Sequence, residues 1–367
     1  MKLINRRVEL SIPEPRPFNV TRFKFWIDPL YERLLLAEKS INYSTFAMDA
    51  ADQDLWTALQ TTHILQTTSD RNELPKNLTT DGDFLARCPN LVAVSVNGSG
   101  CDTVDLEACT KAGVMVVNQA GGNANSVAEM TLGLILSVQR RIAESDRLLR
   151  SKDRGFRRED LMGRELRGLT IGLVGMSAIG SRTAELSKAF GMTVLGSDPS
   201  LSAQELASRG AESVTLEELL QRSDIVSLHC PLNSRTAGMM NAKSFSSMKQ
   251  GAIFISTARS GIHDEAALAA ALRCGHLAGA GLDVWTQEPP PCSHELLSLP
   301  NVVATYHTAG VTHEGRRNNA ELAATQIIKL LATLQQPERL VNRDVWPHAL
   351  RRMEKTFNLA KFQMTDR

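Results

Sequence analysis

Ile171-Gly172-Leu173-Val174-Gly175-Met176-Ser177-Ala178-Ile179-Gly180 is a short apolar run that breaks into small residues and then into a helical pattern. The spacing predicts a strand, a tight turn and a helix, with a task for each small position. Gly175 reverses the chain, Ser177 lets backbone approach a pyrophosphate, and Gly180 lets the helix pack on the strand. The diphosphate would rest on free N–H groups at the helix start, where aligned peptide dipoles favour negative charge. Eighteen residues beyond Gly180, the run Met192 to Ser197 ends in Asp198. A carboxylate there would bind the adenosine ribose hydroxyls and repel a 2′-phosphate, so the expected cofactor is NAD rather than NADP. The same small-residue pattern also marks ordinary strand-to-helix turns, and its middle position here is serine rather than glycine. The strand before it, the helix after it and the acid at the right distance together favour a dinucleotide.

Outward from this unit, strand-like runs recur at Ile225 to Leu228, Ala252 to Ile255, Gly279 to Leu282 and Val302 to Thr305, separated by helical patterns such as Ala178 to Phe190 and Asp264 to Leu272. Strands alternating with helices at this spacing predict a doubly wound parallel sheet with right-handed crossovers. From Phe23 to about Val117, the runs His63 to Gln66, Leu91 to Val96 and Val114 to Val117 alternate with helical stretches at Asp54 to Leu59 and Val104 to Ala112. That is a smaller α/β unit. Asn118 to Asn123 is a Gly-rich hinge, which divides the chain into a first domain over 1–118, completed by 311–346, and a dinucleotide domain over 119–310. Residues up to about Thr21 read as loosely held, Val311 to Leu334 as a long helix, and 347–367 as a short amphipathic tail without an appended regulatory domain. The helix expected over Asn125 to Leu149 is apolar almost all round its first three turns, so it should be buried on every side, between domains or between subunits of a homodimer.

A chain of 367 residues with 43% hydrophobic and 22% charged residues can build two proper cores, which excludes a disordered or fibrous protein. Lys+Arg 41 against Asp+Glu 40 leaves a net charge of +1, so nothing global draws it to nucleic acid or anionic membrane, and the Arg150 to Arg158 cluster reads as solvated loop. Six scattered cysteines without a C-x-x-C pair, behind a start that lacks a signal-peptide core, point to free thiols in a reducing cytoplasm. The longest uncharged apolar stretch, Met130 to Val138, is far short of the roughly 20 residues of a membrane span. No His, Cys or Asp spacing suggests a metal; His263, His276, His294 and His313 belong to no constellation.

The chemistry-bearing residues follow predicted strands. Asn97-Gly98-Ser99-Gly100 puts exposed backbone N–H groups at a strand's carboxyl end, where open parallel sheets bind ligands; a plain turn before a helix capped by Asp102 is the alternative. Later strands end in His229-Cys230-Pro231, in Thr257-Ala258-Arg259, in Asp283 leading to Glu288-Pro289, and in His307 with Gly310. Each of these residues alone is more often a surface or packing group, and His229 is as easily strand-end packing as cofactor contact. Arg, Glu and His in that order, at intervals of 29 and 19 residues after three separate strands, are hard to attribute to coincidence. A guanidinium, a carboxylate and an imidazole beside a nicotinamide are what reducing a 2-oxo acid requires.

With these motifs together, the chain resembles the D-isomer-specific 2-hydroxyacid dehydrogenase family from about Leu91 to Trp346. The segments that carry the resemblance are Val127-Ala128-Glu129, the Gly175 turn, His229 to Thr236, the Arg259 segment, Leu282-Asp283-Val284 with Glu288-Pro289, and His307. The resemblance implies two Rossmann-like domains, a doubly wound sheet for NAD and a smaller flavodoxin-like domain for a small 2-oxo or 2-hydroxy acid. It implies Arg259 as carboxylate anchor, His307 as acid/base and Glu288 as its partner. Ala178, Ile179, Asp198, Cys230, Thr257, Ala258 and Asp283 would line the NAD, with Ser99 and Gly100 near substrate. Independently, Glu288 on the second ring nitrogen would fix the tautomer and raise the His307 pKa.

Three departures qualify the likeness: Tyr306 where a proline commonly precedes the histidine, Ser177, and an early loop lengthened at Asp70-Arg71-Asn72-Glu73-Leu74-Pro75. Alternatives on the same fold are a phosphite- or formate-type dehydrogenase and an NAD-sensing interaction protein of the corepressor type. The family's formate enzymes carry Gln where Glu288 stands, and the corepressors have a disordered tail. The absence of an obvious basic cluster near Asn97 to Cys101 makes a doubly charged phosphate substrate less comfortable.

Overall fold

The computed structural model describes residues 17–49, 51–151 and 155–357. The expected lead-in over 1–16, the centre of the Arg150 to Arg158 cluster and the end of the tail lie outside these residues. The chain divides into two compact units, one holding the residues up to Gln119 and those from Arg317 on, the other Ala120–Arg316. The first crossing falls in the Gly-rich hinge, and the second lies inside the helix His313–Thr333 rather than before it.

In the first unit the strands are β1 Phe18–Phe23, β2 Ile41–Phe46, β3 Ile64–Thr68, β4 Ala93–Asn97 and β5 Met115–Val117, all parallel, in the order β2-β1-β3-β4-β5. This is a flavodoxin-like order. Because side chains alternate along a strand, each strand feeds two cores. Ile64, Ala93 and Met115 pack with Ala320, Ala324 and Ile327 on one face, while Leu65, Val94 and Val96 pack with Leu55, Phe84 and Val104 on the other.

One expectation fails in this unit. Phe18 to Thr21 are not loosely held but open β1, which lies between two neighbours and buries Val20 and Phe23 completely; the Pro- and Arg-rich lead-in hid a strand half of whose residues are polar. Of the expected tail, the described residues up to Phe357 are amphipathic as read, and they are packed onto this unit. Trp346–Phe357 is an amphipathic helix that buries Ala349 and Met353 in the core shared with Val20 and Ile64, and Arg352 donates to the carbonyls of Pro89, Leu91 and Ala112.

The second unit contains β6 Thr170–Val174, β7 Thr193–Ser197, β8 Glu212–Ser213, β9 Ile225–Leu228, β10 Ala252–Ser256, β11 Leu277–Leu282 and β12 Val302–Ala304, in the order β12-β11-β10-β9-β6-β7-β8 and all parallel. The chain winds outward from β6 through β7 to β8, then returns to β9 on the other side of β6. A crevice opens at the carboxyl ends of strands where the winding reverses, and β6 and β9 are that pair here. The fold is thus α/β with two Rossmann-type sheets.

The helix expected over Asn125 to Leu149 is two helices, Ala124–Gln139 and Ile142–Arg150. Arg141 takes a left-handed backbone (φ 52°), and its guanidinium grips both Glu144 oxygens at 2.7 Å, which starts the second helix in a new direction. Within the single chain the first helix keeps an open row. Asn125, Glu129 and Gly133, one i, i+4, i+8 row, are exposed. Among the described residues no helix is long and apolar enough to cross a membrane, and all six cysteines are free.

Candidate active site

The Gly175 turn joins β6 to the helix Ala178–Ala189. Gly175 has φ +93°, and a Cβ there would stand 2.7 Å from the Cys230 nitrogen, so only glycine lets the β6 and β9 loops approach. At Gly180 a Cβ would collide with the Gly175 carbonyl oxygen; the third small residue accommodates the turn itself, more than the strand. Ser177 is the exposed N-cap, yet its hydroxyl caps nothing, so the first-turn N–H groups keep their donors for another partner. Asp198, at the end of β7, accepts from the Met176 N–H at 2.9 Å and from the Ser200 N–H and hydroxyl at 3.0 and 2.6 Å. Burial works against its charge, but these hydrogen bonds and Arg209 hold its pKa below the usual carboxylate range. An uncapped, exposed helix start beside an ionised carboxylate fits a dinucleotide.

The remaining expected cofactor residues lie around the ends of β9, β10 and β11. His229 is buried; its Nε2 meets Ser227 Oγ at 3.0 Å, its Nδ1 has no partner, and burial pushes its pKa down to about 4. Cys230 is a buried thiol raised to about 11 by burial, so it remains uncharged and unreactive at neutral pH. Pro231 is exposed, with its carbonyl accepting from the Thr236 hydroxyl at 2.6 Å. Thr257 is buried against Thr131 (3.2 Å), and the Ala258 carbonyl accepts from Arg259 at 2.7 Å. Gly310 has no room for a Cβ, which would collide with Asn123 Nδ2.

Asp283, expected to line the NAD, is built into the loop that presents His307. Fully buried, its carboxylate accepts from the Thr305 hydroxyl (2.6 Å) and from the N–H groups of Thr308 and Ala309 (both 2.9 Å), while its carbonyl accepts the His307 N–H at 2.7 Å. Its hydrogen bonds are therefore spent on the loop that presents His307. His307 itself sits in the left-handed region (φ 45°), a conformation its surroundings must enforce. Its Nδ1 donates to Glu288 Oε2 at 2.8 Å, and the other Glu288 oxygen accepts the Trp285 N–H at 3.0 Å. Trp285, buried to 2%, donates its indole N–H to the Thr305 carbonyl at 2.9 Å. Sequence reasoning passed over this tryptophan; its place between the acid and the strand was the available signal.

The hydrogen bond from Glu288 raises the His307 pKa above its ordinary 6.5 against the opposing effects of burial and Arg259. Burial pushes Glu288 the other way, but His307, the Trp285 N–H and Arg259 keep it ionised. Arg259 is thus near enough for its charge to act on both. The three residues expected to act together, Arg259, Glu288 and His307, form one electrostatic group on the second unit. Tyr306 beside them is 54% exposed.

Residues 132–309 match the family model described as the NAD-binding domain of the D-isomer specific 2-hydroxyacid dehydrogenases. The chain is 40% identical over 268 residues to a glyoxylate reductase of Thermofilum pendens, covering 72% of this chain and 79% of the reductase. It belongs to the D-isomer specific 2-hydroxyacid dehydrogenase family. A D-3-phosphoglycerate dehydrogenase of Archaeoglobus fulgidus is 38% identical over 250 residues, 68% of this chain but 47% of the relative, so the chain spans about half the length of that enzyme. Among solved structures, the TT0316 protein of Thermus thermophilus is 32% identical with a TM-score of 0.75, over 88% of this chain and all of that one. The matched segment is the family's NAD-binding domain and lies within Ala120–Arg316, this chain's NAD-binding unit.

On the first unit, Asn97 closes β4 and is buried. The Gly98 N–H donates to Gln119 Oε1, and the Gln119 N–H returns to the Gly98 carbonyl, both at 2.8 Å, while Asn118 Nδ2 holds the Ser99 carbonyl at 2.8 Å. Gly98 is therefore spoken for. Among the described residues, the N–H groups of Ser99 and Gly100 have no protein acceptor. The helix that follows is capped by Asp105, not Asp102. Among the described residues no group of three His, Cys, Asp or Glu side chains is placed to hold a metal ion.

Proposed function

We propose that the protein is an NAD-dependent dehydrogenase that interconverts a small 2-oxo acid and the corresponding D-2-hydroxy acid. The observation that carries this is the 2.8 Å pair of His307 and Glu288 with Arg259 coupled to both. When bound, the nicotinamide supplies or accepts the hydride. Arg259 offers its planar fork to the substrate carboxylate, a charge-assisted pairing worth about 1.5–3 kcal/mol. His307, cationic through Glu288, gives its Nε2 proton to the carbonyl oxygen as that oxygen gains charge, and takes it back in oxidation. A positioned acid/base of this kind contributes about 10²–10⁴-fold. Ser99 and Gly100, with Asn97 and Gly98 behind them, serve as the substrate-binding turn. The first unit is the substrate domain, and the open N–H groups at Ala178 and Ile179 take the diphosphate.

The helix Ala124–Gln139, with Met130, Leu136 and Val138 half-exposed beside its open row, is the surface on which two copies would pair as a homodimer. Six free thiols suit a reducing cytoplasm. Purified protein with NADH and a panel of 2-oxo acids should consume NADH, and both His307→Gln and Arg259→Ala should abolish that consumption. Undiminished turnover in either variant would overturn the assignment.

A further inference from the structure

β3 and β4 are neighbours that end in register, Thr68 beside Asn97, so the loops leaving them emerge side by side. The lengthened loop after β3 is tightly held. The Thr68 hydroxyl donates to Glu73 at 2.7 Å, the N–H groups of Glu73 and Leu74 both return to the Asp70 carbonyl at 3.2 Å, and the Thr103 hydroxyl donates to the Thr68 carbonyl at 2.5 Å. Leu74 is buried in the core with Phe25, Leu55 and Val96. Ser69 lies against the substrate turn, its Oγ 3.6 Å from where a Gly98 Cβ would be.

At the tip of this loop stands Arg71. Its Nε donates to the Asp102 carbonyl at 2.8 Å, across 31 residues of sequence. That bond holds the exposed guanidinium beside the turn and leaves its two terminal nitrogens without a protein acceptor among the described residues. The loop's own acids do not take them: Asp70 Oδ1 accepts the Asn72 N–H, and Glu73 the Thr68 hydroxyl. From the open Gly100 N–H to the Asp102 carbonyl the chain can extend at most roughly 10 Å, so the guanidinium bonded to that carbonyl belongs to the same short stretch of loop as those donors. Tertiary structure thus supplies, from another loop, the cation that the residues around Asn97 to Cys101 lack when read alone.

We infer that Arg71 is a specificity-determining residue, and that the preferred substrate is a 2-oxo acid carrying a second anionic group. The inference rests on the dehydrogenase reading for its reaction, but not for the anion site. The Ser99 and Gly100 N–H groups receive one end of such an acid, and the Arg71 fork receives the second anion. Asp102 acts through its carbonyl as the group that aims Arg71.

The test compares 2-oxoglutarate and 3-phosphooxypyruvate with pyruvate and 2-oxobutyrate as substrates for the full-length protein with NADH. Arg71→Ala should lower kcat/KM for at least one of the two doubly anionic acids by about 10–100-fold, mainly through KM, and change the two singly charged acids less than about two-fold. Arg71→Lys should recover part of the loss, because a point charge replaces a fork. The acid that loses more tells carboxylate from phosphate as the second anion. Equal losses on all four acids, or no loss on any, would overturn the inference. Calorimetric binding of the same acids to the NADH-loaded protein separates the two ideas. Arg71-dependent binding without turnover keeps the anion site and removes the dehydrogenase, whereas turnover indifferent to Arg71 does the reverse. No binding of either doubly anionic acid removes the anion site.

Discussion

His307 and Glu288 illustrate how one hydrogen bond sets a working pH. The bond raises the imidazole's pKa, so its cationic fraction persists above 6.5, and the oxo-acid reduction that needs this cation should slow as pH rises through the raised value, while oxidation quickens. In Glu288→Gln, burial and Arg259 act on His307 without their counterweight, so the descending limb of a pH profile of reductive kcat/KM should move to lower pH. An unmoved limb would show that some other group titrates. The stability linkage has the same sign: the His307 contribution is complete below its unfolded pKa and fades as pH rises through the folded one, whereas that of Glu288 is present above its unfolded pKa and is lost on acidification. Arg259→Lys should raise KM for the acid far more than for NADH, because an ammonium cannot reproduce the two-pronged contact with a carboxylate.

The β6 turn and the β11–β12 connection show which small changes an element can absorb. Gly180→Ala pushes a methyl group into the Gly175 carbonyl, so the turn must open; a loss of about 1–3 kcal/mol and weaker NADH binding are expected, read by thermal unfolding and fluorescence titration. Ser177 is exposed and caps nothing, so Ser177→Gly should leave the NADH dissociation constant near its original value, whereas a bulky residue there should raise it strongly. Asp283→Ala removes the acceptor of three donors that shape the His307 loop. It should cost about 1–3 kcal/mol and lower kcat even where NADH still binds, because the imidazole is no longer held in its left-handed conformation.

Across the whole molecule, ligand and core act on different units. NADH at 100 times its dissociation constant should stabilise the NAD-binding unit by about 2.7 kcal/mol, seen as a higher unfolding temperature of that unit in calorimetry. Met353→Ala, in the core of the other unit, should cost about 2–5 kcal/mol of that unit's stability while NADH affinity stays unchanged. If affinity fell with it, the terminal helix would have a role beyond packing.

The amino-acid sequence by itself determined the alternation of strands and helices, the Gly175 turn, and the Arg, Glu and His that follow three strands. All of these are local: burial on two faces writes apolar runs, and a turn that needs φ > 0 writes glycine. It was silent where a signal depended on distant chain. β1 is legible only from its neighbours, since half of its residues are polar; the break at Arg141 is local but carries no proline or glycine, only an arginine gripping Glu144 three residues on. Gln119 on Gly98, the Trp285 indole on the Thr305 carbonyl, and Arg71 beside Asp102 were decided by tertiary structure alone. Each joins groups that only strand order or loop path brings together, and no local periodicity records such a meeting.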